Sequence, residues 1–178
     1  MKRLYLLRHA KAQHAQGEKD FDRPLAQEGI LDADALGKTM VKKSYNPAMI
    51  YCSPALRTKQ TLDNLRLQPL QAPKFEESIY DASAGGLLDL IHDSDDGLDS
   101  IMIIGHNPAL HELALRLTSD ESAASLLQRL LQGYRPATLS VLDCPNQCWN
   151  DLQLGENSLT DLLDPMDYNA PDRPTRWM

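Results

Sequence analysis

The stretch that decides the fold is LYLLRH, residues 4–9. A short, continuous apolar run is typical of a strand that is buried on both faces of a parallel sheet. This run ends directly in Arg8 and His9, with no turn residue between strand and polar pair. Ligands of an open parallel sheet bind beyond the carboxyl ends of its strands, so the stretch predicts that Arg8 and His9 face a binding pocket.

Two later stretches repeat the pattern. Residues 49–52 form an apolar run that leads into SPALR, residues 53–57, and residues 101–104 form one that leads into Gly105 and His106. Strands that alternate with helical periodicity predict a three-layer α/β fold, helix–sheet–helix, with a mainly parallel central sheet. If these strands are neighbours, Arg8, His9, Arg57 and His106 converge at one edge of the sheet.

Other elements follow from periodicity and turn residues. Ser53 is predicted to cap a helix with Pro54 at its first position. Further helices are expected from about residue 25 to 45, over 87–91, from 110 to 117 and over 121–132, and further strands near 74–76 and over 138–142, 149–154 and 158–163. We expect one domain over residues 1–178, with a core from about 3 to 163 and a C-terminal tail over 164–178 whose last dozen residues are extended or frayed.

Composition excludes several classes of protein. The net charge of −7 argues against a nucleic-acid partner. No stretch reaches the roughly 18 apolar residues that a membrane helix needs, and the apolar run before Arg8 is too short for a secretory signal. Three cysteines form no disulfide framework. These features predict a cytoplasmic, reduced protein without a membrane association.

The four converging residues predict phosphoryl chemistry. Arginine pairs two oxygens of a phosphate, and the amide ends of helices that begin near Ser53 and Asn107 add positive potential. Neighbouring positive charge keeps a histidine neutral, so its ring nitrogen can attack phosphorus and form a phosphohistidine intermediate. No metal or other cofactor is needed for this chemistry. His106 and His111 are five residues apart, which does not match ligands on one helical face.

The motifs together resemble the histidine phosphatase superfamily. They are LLRHA at residues 6–10, DRPLAQEG at 22–29, SPALRTKQT at 53–61 and IIGHNP at 103–108. The combination looks most like the branch of SixA-type phosphohistidine phosphatases, although Ala10 stands where the family usually has glycine. The resemblance implies a phosphoglycerate-mutase-like fold. It also implies that His9 is the nucleophile and that the phosphoryl group is bound by Arg8, Arg57, His106 and Asn107.

The substrate and the proton donor stay open at this point. Asp81 is a candidate acid, which an ester substrate needs more than phosphohistidine does. The short connection between Arg57 and Ile101 leaves no room for a cap, which favours a phosphorylated protein that bears phosphohistidine. A small phosphate ester is the alternative substrate, and a non-catalytic phosphate-binding module is the alternative class. Arg23 is expected to be structural, and Ser53 to be a helix cap rather than a nucleophile.

Overall fold

The computed structural model describes residues 1–169. A six-stranded sheet, in the order β3-β2-β4-β1-β5-β6, forms the centre of the fold. The strands β1 to β4 are parallel to one another, whereas β5 is antiparallel to both of its neighbours, β1 and β6. The strands are β1 (Lys2–Arg8), β2 (Met49–Cys52), β3 (Lys74–Phe75), β4 (Ser100–Gly105), β5 (Leu139–Cys144) and β6 (Ser158–Leu163). The predicted mainly parallel sheet is confirmed.

Helices cover both faces of the sheet. They are α1 (Gln27–Lys42), α2 (Leu56–Leu65), α3 (Ala84–His92), α4 (Ala109–Leu117), α5 (Ala124–Gln132) and the short α6 (Pro165–Tyr168). Alternate residues of β1 point to opposite layers, as the pleat of a strand requires. Leu4 and Leu6 belong to the core cluster that α3, α4 and α5 complete, whereas Tyr5 and Leu7 belong to the one that α1 and α2 complete. The three-layer architecture is therefore confirmed.

The register of β4 brings the three polar strand ends together. Gly105 of β4 lies opposite Arg8 of β1, and Ile104 lies opposite Cys52 of β2 on the other side. The segments that follow β1 and β2 each continue the hydrogen-bond ladder to β4 by one bond. His9 N donates to Gly105 O and Ser53 N donates to Ile104 O, both at 3.0 Å. The residues that follow β1, β2 and β4 thus share one edge of the sheet.

The predicted helix cap at Ser53 is wrong. Helix α2 begins at Leu56 with Ala55 as its N-cap residue, and no side chain caps it. The ladder bond from Ser53 keeps this residue part of the strand end, so the chain turns two residues later than the Ser-Pro pair predicts. The Ser53 hydroxyl is thereby free to contact the polar cluster described below.

Two further elements differ from the sequence prediction. Residues 149–154 are not a strand, since Trp149–Asp151 form a 3₁₀ helix. Trp149 is fully buried and its Nε1 donates to Leu98 O at 2.9 Å, so packing under the loop before β4 overrides the alternating pattern. Helix α5 begins at Ala124 rather than at residue 121.

The C-terminal segment is described only in part. Pro165–Tyr168 form α6, and Asp164 caps this helix, so the start of the predicted extended tail is helical. The rest of that prediction concerns residues 170–178, which lie outside the described residues. Within residues 1–169, none of the helices combines the length and the apolar character that crossing a membrane requires.

Candidate active site

His9 lies directly after β1, and one hydrogen bond defines which of its nitrogens carries a proton. Its Nδ1 is 2.7 Å from the carbonyl oxygen of Ala10. A carbonyl oxygen only accepts, so Nδ1 must carry the proton and donate it. In the neutral ring the lone pair therefore resides on Nε2, the nitrogen that is available for attack on phosphorus.

His106 faces His9 from the end of β4. The centroids of the two rings are 5.3 Å apart. Arg57 Nη2 lies 3.3 Å from His106 Nδ1, and since a guanidinium only donates, Nδ1 accepts. The neutral His106 ring then carries its proton on Nε2 and donates it to Ser53 Oγ at 2.8 Å.

This tautomer decides the role of Ser53. His106 lies within hydrogen-bond distance of this serine. Its proton points at the hydroxyl, however, so His106 cannot take the serine proton as a general base would. Ser53 is also fully buried. The serine therefore orients the His106 ring, and that it is not a nucleophile stays a prediction.

Both histidines are held neutral. Burial, assisted by the nearby guanidinium groups of Arg57 and Arg8, lowers the pKa of His9 to about 3. Burial and the Arg57 guanidinium lower the pKa of His106 to about 4. At neutral pH the site therefore combines two neutral imidazole rings with the positive charge of its arginines.

Arg8 carries an uncompensated charge into this site. Its Nη1 donates to the carbonyl of Tyr134 at 2.7 Å, and Asn107 Nδ2 donates to the same oxygen at 2.9 Å. The Nε of Arg8 and the Oδ1 of Asn107 are buried and have no hydrogen-bond partner within residues 1–169. Burial lowers the pKa of Arg8. The Arg8 guanidinium thus brings positive charge to the site without an ion pair to any carboxylate of residues 1–169.

Arg57 lies in the first turn of α2 and is anchored from outside the sheet. Its Nη1 donates to the backbone oxygen of Asp20 at 2.6 Å, and its Nη2 donates to the Asp20 carboxylate at 3.0 Å. Asp20, which lies in the 3₁₀ helix Asp20–Asp22, was not predicted from the sequence. The only signal available was its position in the polar segment that precedes the DRPL motif.

Tyr80 is the second residue that the sequence analysis missed. Its ring packs edge-on against the ring of His106, with centroids 5.5 Å apart, and lies 5.9 Å from the guanidinium carbon of Arg57. Its hydroxyl donates to Asp20 Oδ2 at 2.8 Å. This hydrogen bond, together with those from Arg23 and Arg57, lowers the pKa of Asp20 to about 2. Asp20 is therefore a carboxylate at neutral pH.

Asp81 is the predicted residue that the structure does not join to the cluster. Its side chain is exposed and makes no hydrogen bond or ion pair with the described residues. Its neighbour Tyr80 contacts the site instead. Arg23 binds Asp20 Oδ1 at 2.8 Å and the Gln13 carbonyl at 3.0 Å, which agrees with a structural role.

Close packing behind His9 explains other residues of the motifs. Thr61 Oγ1 accepts from Ala10 N at 3.0 Å and donates to the Arg57 carbonyl at 2.7 Å, so it connects the segment after His9 to helix α2. Ala10 is fully buried, and its methyl group fills space in a small apolar cluster. A Cβ on Gly29 would overlap the backbone of Lys11, which requires glycine there.

Metal ligands are not grouped in the part of the chain that the structure describes. No set of three or more His, Cys, Asp or Glu side chains there is arranged to hold a metal ion. Arg8 and Arg57 bring positive charge to the sheet edge.

Comparison with known proteins gives the family. The model of the histidine phosphatase superfamily (branch 1) matches residues 4–95, about half of the chain. An uncharacterized protein of Mycobacterium tuberculosis (strain CDC 1551 / Oshkosh) is 30% identical over 153 residues, which cover 84% of this chain and 93% of that protein.

Solved structures extend the similarity over nearly the whole chain. A protein of Agrobacterium tumefaciens, provisionally described as the phosphohistidine phosphatase SixA, is 30% identical with a TM-score of 0.77 and covers 92% of this chain and 98% of its own. A protein of Nakamurella multipartitia with the same provisional description is 25% identical with a TM-score of 0.79 and covers 92% and 96% of the two chains. With Arg8, His9, Arg57 and His106 gathered at the sheet edge, the chain belongs to the histidine phosphatase superfamily, in its SixA-like branch.

Proposed function

We propose that this phosphatase removes phosphate from phosphohistidine on a protein, with His9 as the nucleophile. The observation that carries the proposal is the hydrogen bond from His9 Nδ1 to the Ala10 carbonyl, which leaves Nε2 unprotonated. The pKa of about 3 keeps it so at neutral pH. Arg8, Arg57, His106 and Asn107 bind the phosphoryl group.

The reaction proceeds in two displacements. The Nε2 lone pair of His9 forms a bond to phosphorus while the bond from phosphorus to the substrate nitrogen breaks, and the leaving imidazole keeps that electron pair. Phosphohistidine that is protonated on its other ring nitrogen leaves as neutral imidazole, so this step needs little acid catalysis. Water then attacks phosphorus, the bond to Nε2 breaks, and the water proton passes to the phosphate product.

The arginines supply the charge that the transferring phosphoryl group requires. Arg8 has an unpaired buried Nε–H, and Arg57 is almost fully buried. Donors of this kind act strongly because little water screens them. We therefore propose that turnover is independent of metal ions and persists in the presence of a chelator.

An open entrance supports a protein substrate. The chain between α2 and β4 forms only the two-residue strand β3, a 3₁₀ helix and α3, so it contributes no cap over the site. Asp20, at the entrance, has a side chain that is 53% exposed. The Agrobacterium and Nakamurella proteins, both provisionally described as phosphohistidine phosphatases, support the same substrate class.

A phosphomonoesterase is the second candidate. Asp81 directly follows Tyr80, whose ring contacts His106, so its carboxyl group belongs to the segment beside the site. Asp81→Asn distinguishes the two candidates, because an alkoxide needs a proton donor and imidazole does not. We expect the variant to keep phosphohistidine turnover within about twofold, since a solvated carboxylate contributes little to cleavage of a P–N bond.

A paired rate measurement tests the proposal. The purified protein, with chelator present, is offered a phosphohistidine-bearing protein domain and p-nitrophenyl phosphate. We expect the protein to remove phosphohistidine faster than it cleaves p-nitrophenyl phosphate. During turnover the protein should itself carry an acid-labile, base-stable phosphate, and His9→Ala should turn over neither substrate. His92, a half-buried histidine bonded to the Leu152 carbonyl, gives the control variant His92→Ala, which should keep activity.

Each contrary outcome has a distinct meaning. Turnover by His9→Ala would contradict the assignment of His9 as the nucleophile. Faster ester cleavage that depends on Asp81 would favour the phosphomonoesterase. Phosphate binding without turnover of either substrate, and without phosphate trapped on His9, would favour a binding module.

A further inference from the structure

Tyr80 forms a rigid aromatic wall beside the residues proposed to bind phosphate. Its ring packs edge-on against His106 with an interplanar angle of 87°, and Phe21 packs edge-on against it with centroids 5.1 Å apart. Its hydroxyl is held by Asp20, which is itself bound to Arg23 and Arg57. These contacts fix the orientation of the ring before any ligand arrives.

The backbone below Tyr80 is fixed as well. Ile79 is buried and packs against Gly105, where a Cβ would lie 2.8 Å from the Ile79 methyl group. Glycine at the end of β4 thus lets Ile79 approach the strand and brings Tyr80 over the sheet edge. The ring itself is half-buried, so part of its surface remains open to a ligand.

The direction of the reaction places the leaving group on this side. In an in-line displacement the leaving atom lies opposite the attacking nitrogen. The rings of His9 and His106 face each other with centroids 5.3 Å apart, and Arg57 lies beside His106, so we expect a leaving group opposite His9 on the side of these two residues. Tyr80 contacts both of these residues and remains partly exposed.

We propose that Tyr80 selects planar, ring-shaped leaving groups, such as the imidazole of phosphohistidine, by packing against their rings. The inference rests on the proposed function for the direction in which the leaving group points. Aromatic pairs gain about 0.5–1.5 kcal/mol beyond the area that they bury, which corresponds to a preference of roughly twofold to tenfold.

The hydroxyl of Tyr80 has a different task from its ring. Its proton is already donated to Asp20 at 2.8 Å, so it is not offered to the leaving group. Tyr80 is therefore a specificity-determining residue rather than a general acid. Tyr80→Phe keeps the ring and removes the hydroxyl, whereas Tyr80→Leu removes the ring.

Binding of stable phosphonates tests the wall without any turnover. We would measure Kd by calorimetry for phenylphosphonate and cyclohexylphosphonate, which share a charged group and differ in the flatness of the ring. The wild type should prefer the phenyl ligand by roughly twofold to tenfold. Tyr80→Leu should lose that preference and Tyr80→Phe should keep it.

Tyr45 provides a matched control at the other end of the sheet. Its hydroxyl donates to Asp161 at 2.9 Å and its ring lies 5.9 Å from the Arg3 guanidinium carbon, an arrangement much like that of Tyr80. Tyr45→Leu should keep the wild-type preference, with its fold checked by circular dichroism. If Tyr45→Leu is unstable, Tyr45→Phe serves as the control.

The kinetic counterpart uses two substrates with P–N bonds. Tyr80→Leu should lower kcat/KM for N-phosphorylimidazole by roughly twofold to tenfold relative to phosphoramidate, which has no ring. Three results would each overturn the proposal that the Tyr80 ring selects planar groups. They are a phosphonate preference that Tyr80→Leu leaves unchanged, the absence of a preference in the wild type, and loss of the preference in Tyr80→Phe. If the wild type does not turn over phosphohistidine but still prefers the phenyl phosphonate, the proposed function is overturned and the role of Tyr80 in ring selection is not.

Discussion

Two arginines of β1 show how the fold treats its two ends differently. Arg3, near the amino end, donates from Nε and Nη2 to the two carboxylate oxygens of Asp143, at 2.6 and 3.1 Å. The Arg8 side chain, at the carboxyl end, donates to the Tyr134 carbonyl, and its Nε lacks a partner within residues 1–169. The pKa of Arg3 is raised by its carboxylate, whereas that of Arg8 is lowered by burial.

The difference separates a structural charge from a functional one. A paired arginine adds modest stability and has no charge left for a ligand. A buried, unpaired arginine costs free energy of folding, but it binds strongly to an anion that completes its hydrogen bonds. The four predictions below test this contrast, beginning with the largest effect.

Arg8→Met should remove the charge proposed to bind the phosphoryl group at the carboxyl end of β1. We expect kcat/KM for the phosphohistidine substrate to fall about 100-fold or more, because a donor to the transferring phosphoryl group is lost. The free energy of unfolding should stay the same or rise, since an uncompensated cation leaves the interior and Asn107 still binds the Tyr134 carbonyl. Kinetics and urea unfolding measure both, and a destabilised variant with normal kcat/KM would refute the contrast.

The neutral histidines should make stability depend on pH. The folded pKa values of about 3 for His9 and about 4 for His106 lie below the unfolded value near 6.5, so the unfolded chain binds more protons between these limits. The free energy of unfolding should therefore fall as the pH drops from about 6.5 to about 4, by up to about 1.4 kcal/mol per pH unit for each histidine.

Urea titrations at several pH values test this. His9→Asn should show a shallower slope than the wild type over the same range. The exposed His14 gives the control His14→Asn, which should keep the wild-type slope. A slope that His9→Asn leaves unchanged would show that His9 does not contribute to it.

Asp20→Asn tests Arg57, which lies between Arg3 and Arg8 in how fully a carboxylate pairs its charge. Its carboxylate partner is 53% exposed and engages only part of the guanidinium. The amide keeps an acceptor and removes the negative charge, so inorganic phosphate should inhibit about threefold more strongly, in the range of a partly exposed ion pair. Weaker inhibition would mean that the Asp20 charge is needed to position Arg57.

Arg3→Met should show the smallest effect. The Arg3 side chain is 37% exposed, so loss of its ion pair with Asp143 should lower the free energy of unfolding by about 0.2–1 kcal/mol. Its kcat/KM should equal that of the wild type. A loss of activity comparable to that of Arg8→Met would show that the two ends of β1 do not differ as proposed.

Much of the site was predictable because strand ends are a local signal. The runs before Arg8 and His106 identify strands that are buried on both faces, and the rule for parallel sheets then predicts where their polar ends meet. The prediction failed where tertiary contacts outweigh local pattern. Trp149 packs under a loop instead of joining a strand, and Ser53 bonds to His106 instead of capping a helix.

The sequence by itself determined the three buried strands and the four polar residues at their ends. Apolar runs and motif spacing are properties of residues close together in the sequence, so they can be recognised without knowledge of the fold. Only the tertiary structure decided which nitrogen of His9 is free and that Tyr80, rather than Asp81, contacts the site. A tautomer depends on the atom beside each nitrogen, and Asp20 meets Tyr80 across a separation of 60 residues, which no local pattern encodes.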